Sequence, residues 1–293
     1  MQRLLLHVGA GCLAGFLTLA LVAFGAPVLA IEPVDLELIL AIDVSGSIDP
    51  DEARLQREGY VAAFLHPDVL RAIQDGYNGS IAVTYFEWSD DQSQRVIVDW
   101  TLIRSAADAR AFAGSLAEST VNIGRRTSIS SAIQYALPMF ETNDYVGIRR
   151  VIDISGDGEN NAGIPVVAAR DLAIAKGVTI NGLPIVNDRP NRFGFPQMPN
   201  LDRYYANCVI GGNGAFLVVA NNFESFAEAV RRKLILEIAD LQPDEPKRHA
   251  ARPARHPLLH YVQGVQSPSE APDSYDCSVG ERRMFNYFQR NIP

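Results

Sequence analysis

The segment Asp43-Val44-Ser45-Gly46-Ser47 follows an apolar run at residues 36–42, and its polar side chains are the ones in this chain best suited to hold a cation. Along an extended segment alternate side chains point to the same side, so Asp43, Ser45 and Ser47 can place one carboxylate and two hydroxyls around one point. Ligands that are all oxygen suit a hard divalent ion, Mg²⁺ first, with Mn²⁺ or Ca²⁺ as alternatives. One charge and three ligands are too few, so further ligands must come from elsewhere in the chain.

Two more polar residues lie at comparable places. Thr127 precedes a helical pattern, and Asp157 follows the apolar run at 151–154. In an open parallel sheet, binding groups gather beyond the carboxyl ends of the strands, at the crevice where the strand order reverses. The sequence therefore predicts that three separated loops form one metal site, made of Asp43, Ser45, Ser47, Thr127 and Asp157.

Together these segments resemble the metal-ion-dependent adhesion site of von Willebrand factor A-like domains, whose pattern is Asp-x-Ser-x-Ser, a distant Thr and a distant Asp. The resemblance covers about residues 35–241 and is strongest to signal-bearing bacterial proteins of undetermined role. It implies that the three hydroxyls bind the metal and that Asp43 and Asp157 bind it directly or through water. It also implies that an acidic side chain of a partner protein fills the remaining coordination position.

Two features depart from the family pattern. Gly156 stands before Asp157 where the family often has Thr, and Arg125-Arg126 stand before Thr127 where small residues are common. The two arginines add cations beside the site, which would favour an anionic partner or weaken metal binding.

Each segment also has an ordinary structural interpretation. The first has a common turn composition, and Asp157-Gly158 is a frequent turn dipeptide. Thr127 alone could be the N-cap of the helix that follows it. The metal interpretation depends on the three segments occurring together.

Strand-like and helical patterns alternate beyond residue 35, as a parallel sheet with crossover helices requires. They predict a doubly wound α/β fold with a mostly parallel six-stranded sheet, one antiparallel edge strand and helices on both faces, which agrees with the resemblance. Strands are predicted at 36–43, 81–88, 96–102, 151–155, 178–185 and 215–219. Helices are predicted at 51–74, 105–119, 128–140, 165–176 and 222–239.

The connection at residues 186–214 is long and rich in Pro, Gly and Asn, and such loops are usually functional or disordered. It leaves the carboxyl end of the fifth predicted strand and could lie over the metal face. Because Arg and Tyr are favoured at interfaces, we expect it to select the partner, unless it is only a solvated lid. The candidate contact residues are Arg189, Arg192, Arg203, Tyr204 and Tyr205.

The two ends of the chain differ from the domain at 35–241. Residues 1–30 contain Arg3, an apolar run and a small-residue end, as a signal peptide does. The apolar stretch also reaches the length of about 20 residues that spans a bilayer, so an uncleaved anchor is the alternative. Both interpretations predict export to the periplasm or beyond, with membrane contact only through that segment. Residues 242–293 form a Pro-, Arg- and His-rich tail with a short terminal element.

Net charge restricts the classes of partner, and cysteine content restricts the possible disulfides. The formal charge of −8 becomes −9 if residues 1–30 and their one Arg are removed, so nucleic acid is not expected as a partner. Cys208 and Cys277 would then be the two remaining cysteines, and in an oxidising compartment they form either a disulfide or two unpaired thiols.

These observations predict a non-enzymatic exported module that grips an acidic group of an envelope or extracellular protein through a divalent cation. No His lies near the three loops in sequence, so serine nucleophilic catalysis lacks a base. One alternative is a Mg²⁺-dependent phosphatase built on Asp43 and Asp157, although Ser45 stands where that class carries a proton-transferring Asp. The other is a scaffold with a vestigial metal site.

Overall fold

The computed structural model describes residues 31–186, 196–223, 225–240 and 275–291. Its centre is a five-stranded sheet in the order β3-β2-β1-β4-β5, in which only the β2–β3 pair is antiparallel. The strands are β1 Glu32–Asp43, β2 Ile81–Trp88, β3 Gln94–Ile103, β4 Tyr145–Gly156 and β5 Thr179–Pro184. The order reverses between β2 and β4, on either side of β1, which is where a doubly wound sheet opens its binding crevice.

Helices cover both faces of the sheet. They are α1 Pro50–Phe64, α2 Pro67–Gln74, α3 Ala106–Glu118, α4 Ile129–Met139, α5 Val166–Ala175, α6 Leu201–Tyr204, α7 Phe226–Ile238 and α8 Val279–Asn291. A π-helical turn, Tyr205–Val209, continues α6. In the described residues, none of these helices is long and apolar enough to cross a membrane.

The central strand β1 contributes to two hydrophobic cores. Leu36, Leu38 and Leu40 pack on the face covered by α1, α2, α3 and α7, whereas Ile39 and Ala41 pack on the face covered by α4, α5 and the π turn. Because alternate side chains point to opposite faces, a strand that is buried on both faces has to be apolar nearly throughout. The first polar residue able to face the crevice is therefore Asp43, at the strand's end.

The predicted α/β fold is confirmed, but the predicted number of six strands is wrong. Residues 215–219 run beside β5 and make only isolated bridges to it, Gly182 with Leu217 and Ile185 with Ala220. The side chain of Asn181 on β5 accepts a hydrogen bond from the Phe216 N–H at 3.0 Å. A side chain thus takes the place of a backbone partner, and no regular ladder forms there.

The single helix predicted at 51–74 is in fact two helices. His66 has an extended backbone (φ −76°, ψ 132°) and caps α2, whose first residue is Pro67. A residue before proline is sterically excluded from the helical region, which explains the break. The signal was present in the sequence at Pro67.

Candidate metal centre

The three predicted loops meet at the carboxyl ends of β1 and β4. Register places Ile42 of β1 opposite Ser155 of β4, so Asp43 and Asp157 follow neighbouring strands into the same crevice. The Asp43 carboxylate Oδ1 accepts the Ser45 N–H at 2.7 Å, which curls the first loop back over its own strand. The loop then passes directly into α1, because the Asp49 side chain caps that helix and accepts the Asp51 and Glu52 N–H groups.

A chain of hydroxyl contacts joins the three segments. Thr127 Oγ1 donates to Ser45 Oγ at 3.1 Å, Ser45 Oγ lies 3.0 Å from Ser47 Oγ, and Ser47 Oγ donates to Asp157 Oδ1 at 2.5 Å. The structure therefore brings together all five residues proposed as metal ligands. Two carboxylates and three hydroxyls thus lie close together at the strand ends.

Thr127 does not cap the following helix. The N-cap of α4 is Ser128, whose Oγ accepts the Ser131 N–H, and this leaves the Thr127 hydroxyl to face the site. The interpretation of Thr127 as a helix N-cap is therefore wrong, and its role as a metal ligand stays a prediction.

Two asparagines that the sequence analysis missed lock the second and third loops together. Asn161 Oδ1 accepts the Thr127 N–H at 3.0 Å, and the Asn161 N–H donates to the Thr127 carbonyl at 2.8 Å. Asn160 Oδ1 accepts the Ser130 N–H at 2.9 Å. The signal for them was the Asn160-Asn161 pair, one residue after the Asp157-Gly158 turn, since Asn side chains readily bond nearby backbone.

Burial and charge make this site suited to a cation. Asp43, Asp157 and Ser45 are almost wholly buried. Among the described residues, Asp43 Oδ2 has no hydrogen-bond partner, and no Lys or Arg side chain pairs with either carboxylate. Burial, and then the nearby Asp157, raise the pKa of Asp43 well above its ordinary value. Burial also raises the pKa of Asp157 to about 7, with the Ser47 hydrogen bond opposing and Glu52 adding to the rise.

A divalent ion is the group that this donor set fits. Two buried carboxylates in one site repel each other unless a cation or a proton lies between them. The described residues hold no group of three or more His, Cys, Asp or Glu side chains that could hold a metal, so the hydroxyls are essential to the site. Carboxylate and hydroxyl oxygens are hard ligands, as Mg²⁺, Mn²⁺ and Ca²⁺ prefer.

Two of the five predicted partner-binding residues are not available at the surface. Tyr204 and Tyr205 are fully buried in the core under α5, so the prediction that their rings contact a partner is wrong. They pack there because the connection folds into α6 and the π turn instead of lying over the surface. Arg203 is exposed, and Arg189 and Arg192 lie outside the described residues.

The connection does reach the metal centre at Gln197. Its side-chain amide donates to the Asp157 carbonyl at 2.8 Å and to the Ile185 carbonyl at 2.7 Å. Gln197 therefore fixes the ends of β4 and β5 to each other beside the metal site.

The terminal helix α8 also packs beside the site. A disulfide joins Cys208 of the π turn to Cys277, with 5.6 Å between their Cα atoms, and α8 begins two residues later. Glu281 accepts the Asn160 side-chain amide at 2.8 Å, and Arg283 pairs with Glu159 at 2.7 Å. The paired-cysteine interpretation and the docked terminal element are thus both present in the structure. The remainder of the predicted tail, and residues 1–30, lie outside the described residues.

Comparison with known proteins gives a family and a fold. A family model described as "Protein of unknown function (DUF1194)" matches residues 33–242. Among curated proteins, none matches the chain.

Two of the similar solved structures have a TM-score of 0.50. One is proximal thread matrix protein 1 from the mussel byssus, at 16% identity over 71% of this chain and 49% of that one. The other is the pilus adhesin SpaC from Lactobacillus rhamnosus GG, at 14% identity over 71% of this chain and 30% of that one. A von Willebrand factor type A protein from Catenulispora acidiphila follows, with 16% identity, coverages of 70% and 43%, and a TM-score of 0.48. This chain thus spans half or less of the length of these proteins.

Proposed function

Because the chain belongs to the DUF1194 family and has a von Willebrand factor A-like fold, we propose that it is a divalent-cation-dependent protein-binding module. Asp43, Ser45, Ser47, Thr127 and Asp157 would hold the cation, with Mg²⁺ as the leading candidate. The observation that carries the proposal is the pair of buried carboxylates with no basic partner among the described residues, ringed by three hydroxyls.

The metal would supply an electrophilic position that an oxygen of a partner can occupy. Hydroxyl ligands are neutral, so the two carboxylates balance the ion's charge without saturating its affinity for a further anion. Arg125 is exposed two residues before Thr127 and adds positive charge near this face. An acidic side chain of another protein is therefore the group that we propose fills the position.

A location outside the cytoplasm agrees with this role. The Cys208–Cys277 disulfide is a bond that persists in oxidising compartments, and residues 1–30 have the composition of an export signal. We propose a periplasmic or extracellular module that acts on another envelope or extracellular protein.

We propose further that the module is not an enzyme. Ser45 Oγ contacts the hydroxyls of Ser47 and Thr127, and the Asp43 carboxylate lies next to it. His66, the one histidine among the described residues, lies beyond the far end of α1, which rises for about 20 Å away from the site. No imidazole among the described residues can therefore activate Ser45, and the two carboxylates beside it are the groups that we propose hold the cation.

Partner capture with and without metal tests the proposal. The purified chain, immobilised in Mg²⁺, is exposed to envelope extract and eluted with a chelator. We expect one or more proteins to elute from wild type and not from Asp157→Ala. The matched control is Asp91→Ala, which removes an exposed carboxylate from the β2–β3 turn. Equal capture by wild type in chelator, or by Asp157→Ala, would refute the proposal, and turnover of a generic phosphate ester that Asp43→Asn abolishes would favour the phosphatase.

A further inference from the structure

Tyr205, the first residue of the π turn, is a buried tyrosine whose hydroxyl has no hydrogen-bond partner among the described residues. Buried hydroxyls are nearly always bonded, because an unsatisfied buried donor is costly. Asp43 Oδ2 is also a buried oxygen without a hydrogen-bond partner among the described residues. The tyrosine hydroxyl can donate a hydrogen bond and the carboxylate oxygen can accept one.

Both oxygens lie against Gly156. A Cβ atom placed on Gly156 would lie 2.8 Å from Asp43 Oδ2 and 2.9 Å from the Tyr205 hydroxyl, so both atoms border the space that this residue leaves free. Any larger residue would push the hydroxyl and the carboxylate away from the strand. Gly156, which stands where von Willebrand factor A-like domains often have Thr, thus leaves room for the Tyr205 hydroxyl beside the Asp43 carboxylate.

A tyrosine hydroxyl carries its proton at neutral pH and can donate it in a hydrogen bond, whereas an ionised carboxylate can only accept. The Tyr205 hydroxyl is therefore chemically suited to bond a carboxylate that holds a metal.

We propose that Tyr205 is a positioning residue of the metal site: when a cation is bound, its hydroxyl donates to Asp43 Oδ2, a bond that the described structure does not contain, and so orients the carboxylate toward the cation. The inference rests on the proposed metal-dependent function and adds a fourth chain segment to the site. Asp43 Oδ1 is already fixed by the Ser45 N–H at 2.7 Å, so a donor at Oδ2 would fix the rotation of the whole group. Groups that orient metal ligands in this way typically change metal affinity by 10- to 100-fold when removed.

Covalent and polar contacts hold Tyr205 firmly enough for this role. Cys208, in the same π turn, is joined by its disulfide to Cys277 ahead of α8. The Ile210 N–H donates to the Tyr205 carbonyl at 3.0 Å. A positioning group works only when its own place is fixed by its surroundings.

Removing the single hydroxyl tests the inference. Mg²⁺ and Mn²⁺ affinities are measured by titration calorimetry for wild type, Tyr205→Phe and Tyr60→Phe. Tyr60 is the matched control, because it is equally buried and its hydroxyl also lacks a described partner, but it lies in the core on the other face of the sheet. We expect about tenfold weaker binding in Tyr205→Phe and wild-type affinity in Tyr60→Phe.

A second substitution separates positioning from packing. Gly156→Ala in wild type should weaken metal binding, and the added loss should be smaller in the Tyr205→Phe background, because one of the two atoms that the new methyl meets is gone. Wild-type affinity in Tyr205→Phe, or equal weakening in Tyr60→Phe, would overturn the inference and leave the metal site standing. Failure of wild type itself to bind either metal would overturn the proposed function as well.

Discussion

Two pairs of buried carboxylates, Asp153 with Glu237 and Asp43 with Asp157, each have one member on β4 or directly after it, and they balance their charge in different ways. Asp153 and Glu237 share Lys233, whose Nζ lies 2.7 Å from Asp153 and 2.9 Å from Glu237. Asp43 and Asp157 have only hydroxyls and backbone groups around them in the described structure. One pair brings its cation from α7, and the other has to take it from solution.

The comparison explains why one cluster is structural and the other is suited to binding. Lys233 is fully buried and also lies 5.5 Å from the centre of the Phe216 ring, so its charge is enclosed by the core. The Asp43–Asp157 pair instead lies at the strand ends, where Ser47 is only half-buried and solvent can reach the site. Position at the strand end, more than residue type, separates the two roles.

Removing the internal cation should have the largest effect. Lys233→Met leaves Asp153 and Glu237 as an uncompensated buried pair, which should lower the free energy of unfolding by about 3–5 kcal/mol. Denaturant unfolding measures the loss, and Mg²⁺ should not restore it. Lys176→Met, at an exposed lysine, is the control and should stay within about 0.5 kcal/mol of wild type. Equal free energies of unfolding for Lys233→Met and Lys176→Met would contradict the claim that Lys233 balances the buried Asp153–Glu237 pair.

Neutralising a carboxylate of the Asp43–Asp157 pair should instead raise the free energy of unfolding. In metal-free protein at pH 8, Asp43→Asn should raise the free energy of unfolding by about 2 kcal/mol, because it relieves a buried charge that has no described counter-ion. The amide oxygen can still accept the Ser45 N–H. Chemical denaturation with chelator present measures the change, with Asp171→Asn as the surface control. A loss of stability would mean that the charge is already balanced in the free protein.

A third effect is a pH dependence, which changes stability gradually, by about 1 kcal/mol for each pH unit. Burial raises the pKa of Asp153 to about 7, with Lys233 opposing and Glu237 adding to the rise. The native state therefore keeps a proton that the unfolded state releases above about pH 4, so this carboxyl makes stability fall as pH rises from about 4 to 7. Asp153→Asn should flatten that fall by about 1 kcal/mol per pH unit, measured by denaturation across this range. Tyr60 faces the same cluster but does not titrate there. If the stability of wild type and of Asp153→Asn changed with pH in the same way, the raised pKa of Asp153 would not be the cause of the fall.

The sequence predicts the features that depend on neighbouring residues better than those that depend on contacts between distant segments. The five ligand positions follow from polar residues placed at the ends of apolar runs, a local pattern, and the structure brings all five together. The α1–α2 break was also readable, at Pro67. Local order was therefore enough to locate the five strands that form the sheet and the position of the site, but not to count the strands.

The errors involve contacts between distant segments. Nothing near Tyr204 and Tyr205 in sequence shows that α6 and the π turn bury them, because burial depends on how the connection packs under α5. Asp153 could be seen as an odd charge in an apolar strand, but its pairing with Lys233, eighty residues later, required the fold. The loss of the sixth strand likewise depends on one side-chain bond from Asn181.

The most direct test of the metal site is thermal unfolding of metal-free protein titrated with Mg²⁺ or Mn²⁺. A ligand that binds only the folded state stabilises it by about 2.7 kcal/mol at a hundred times its Kd. We predict that the Tm of wild type rises steadily with the logarithm of metal concentration and that the Tm of Asp157→Asn stays flat. A flat response in wild type, or an equal rise in Asp157→Asn, would contradict the account that the two carboxylates need an external cation.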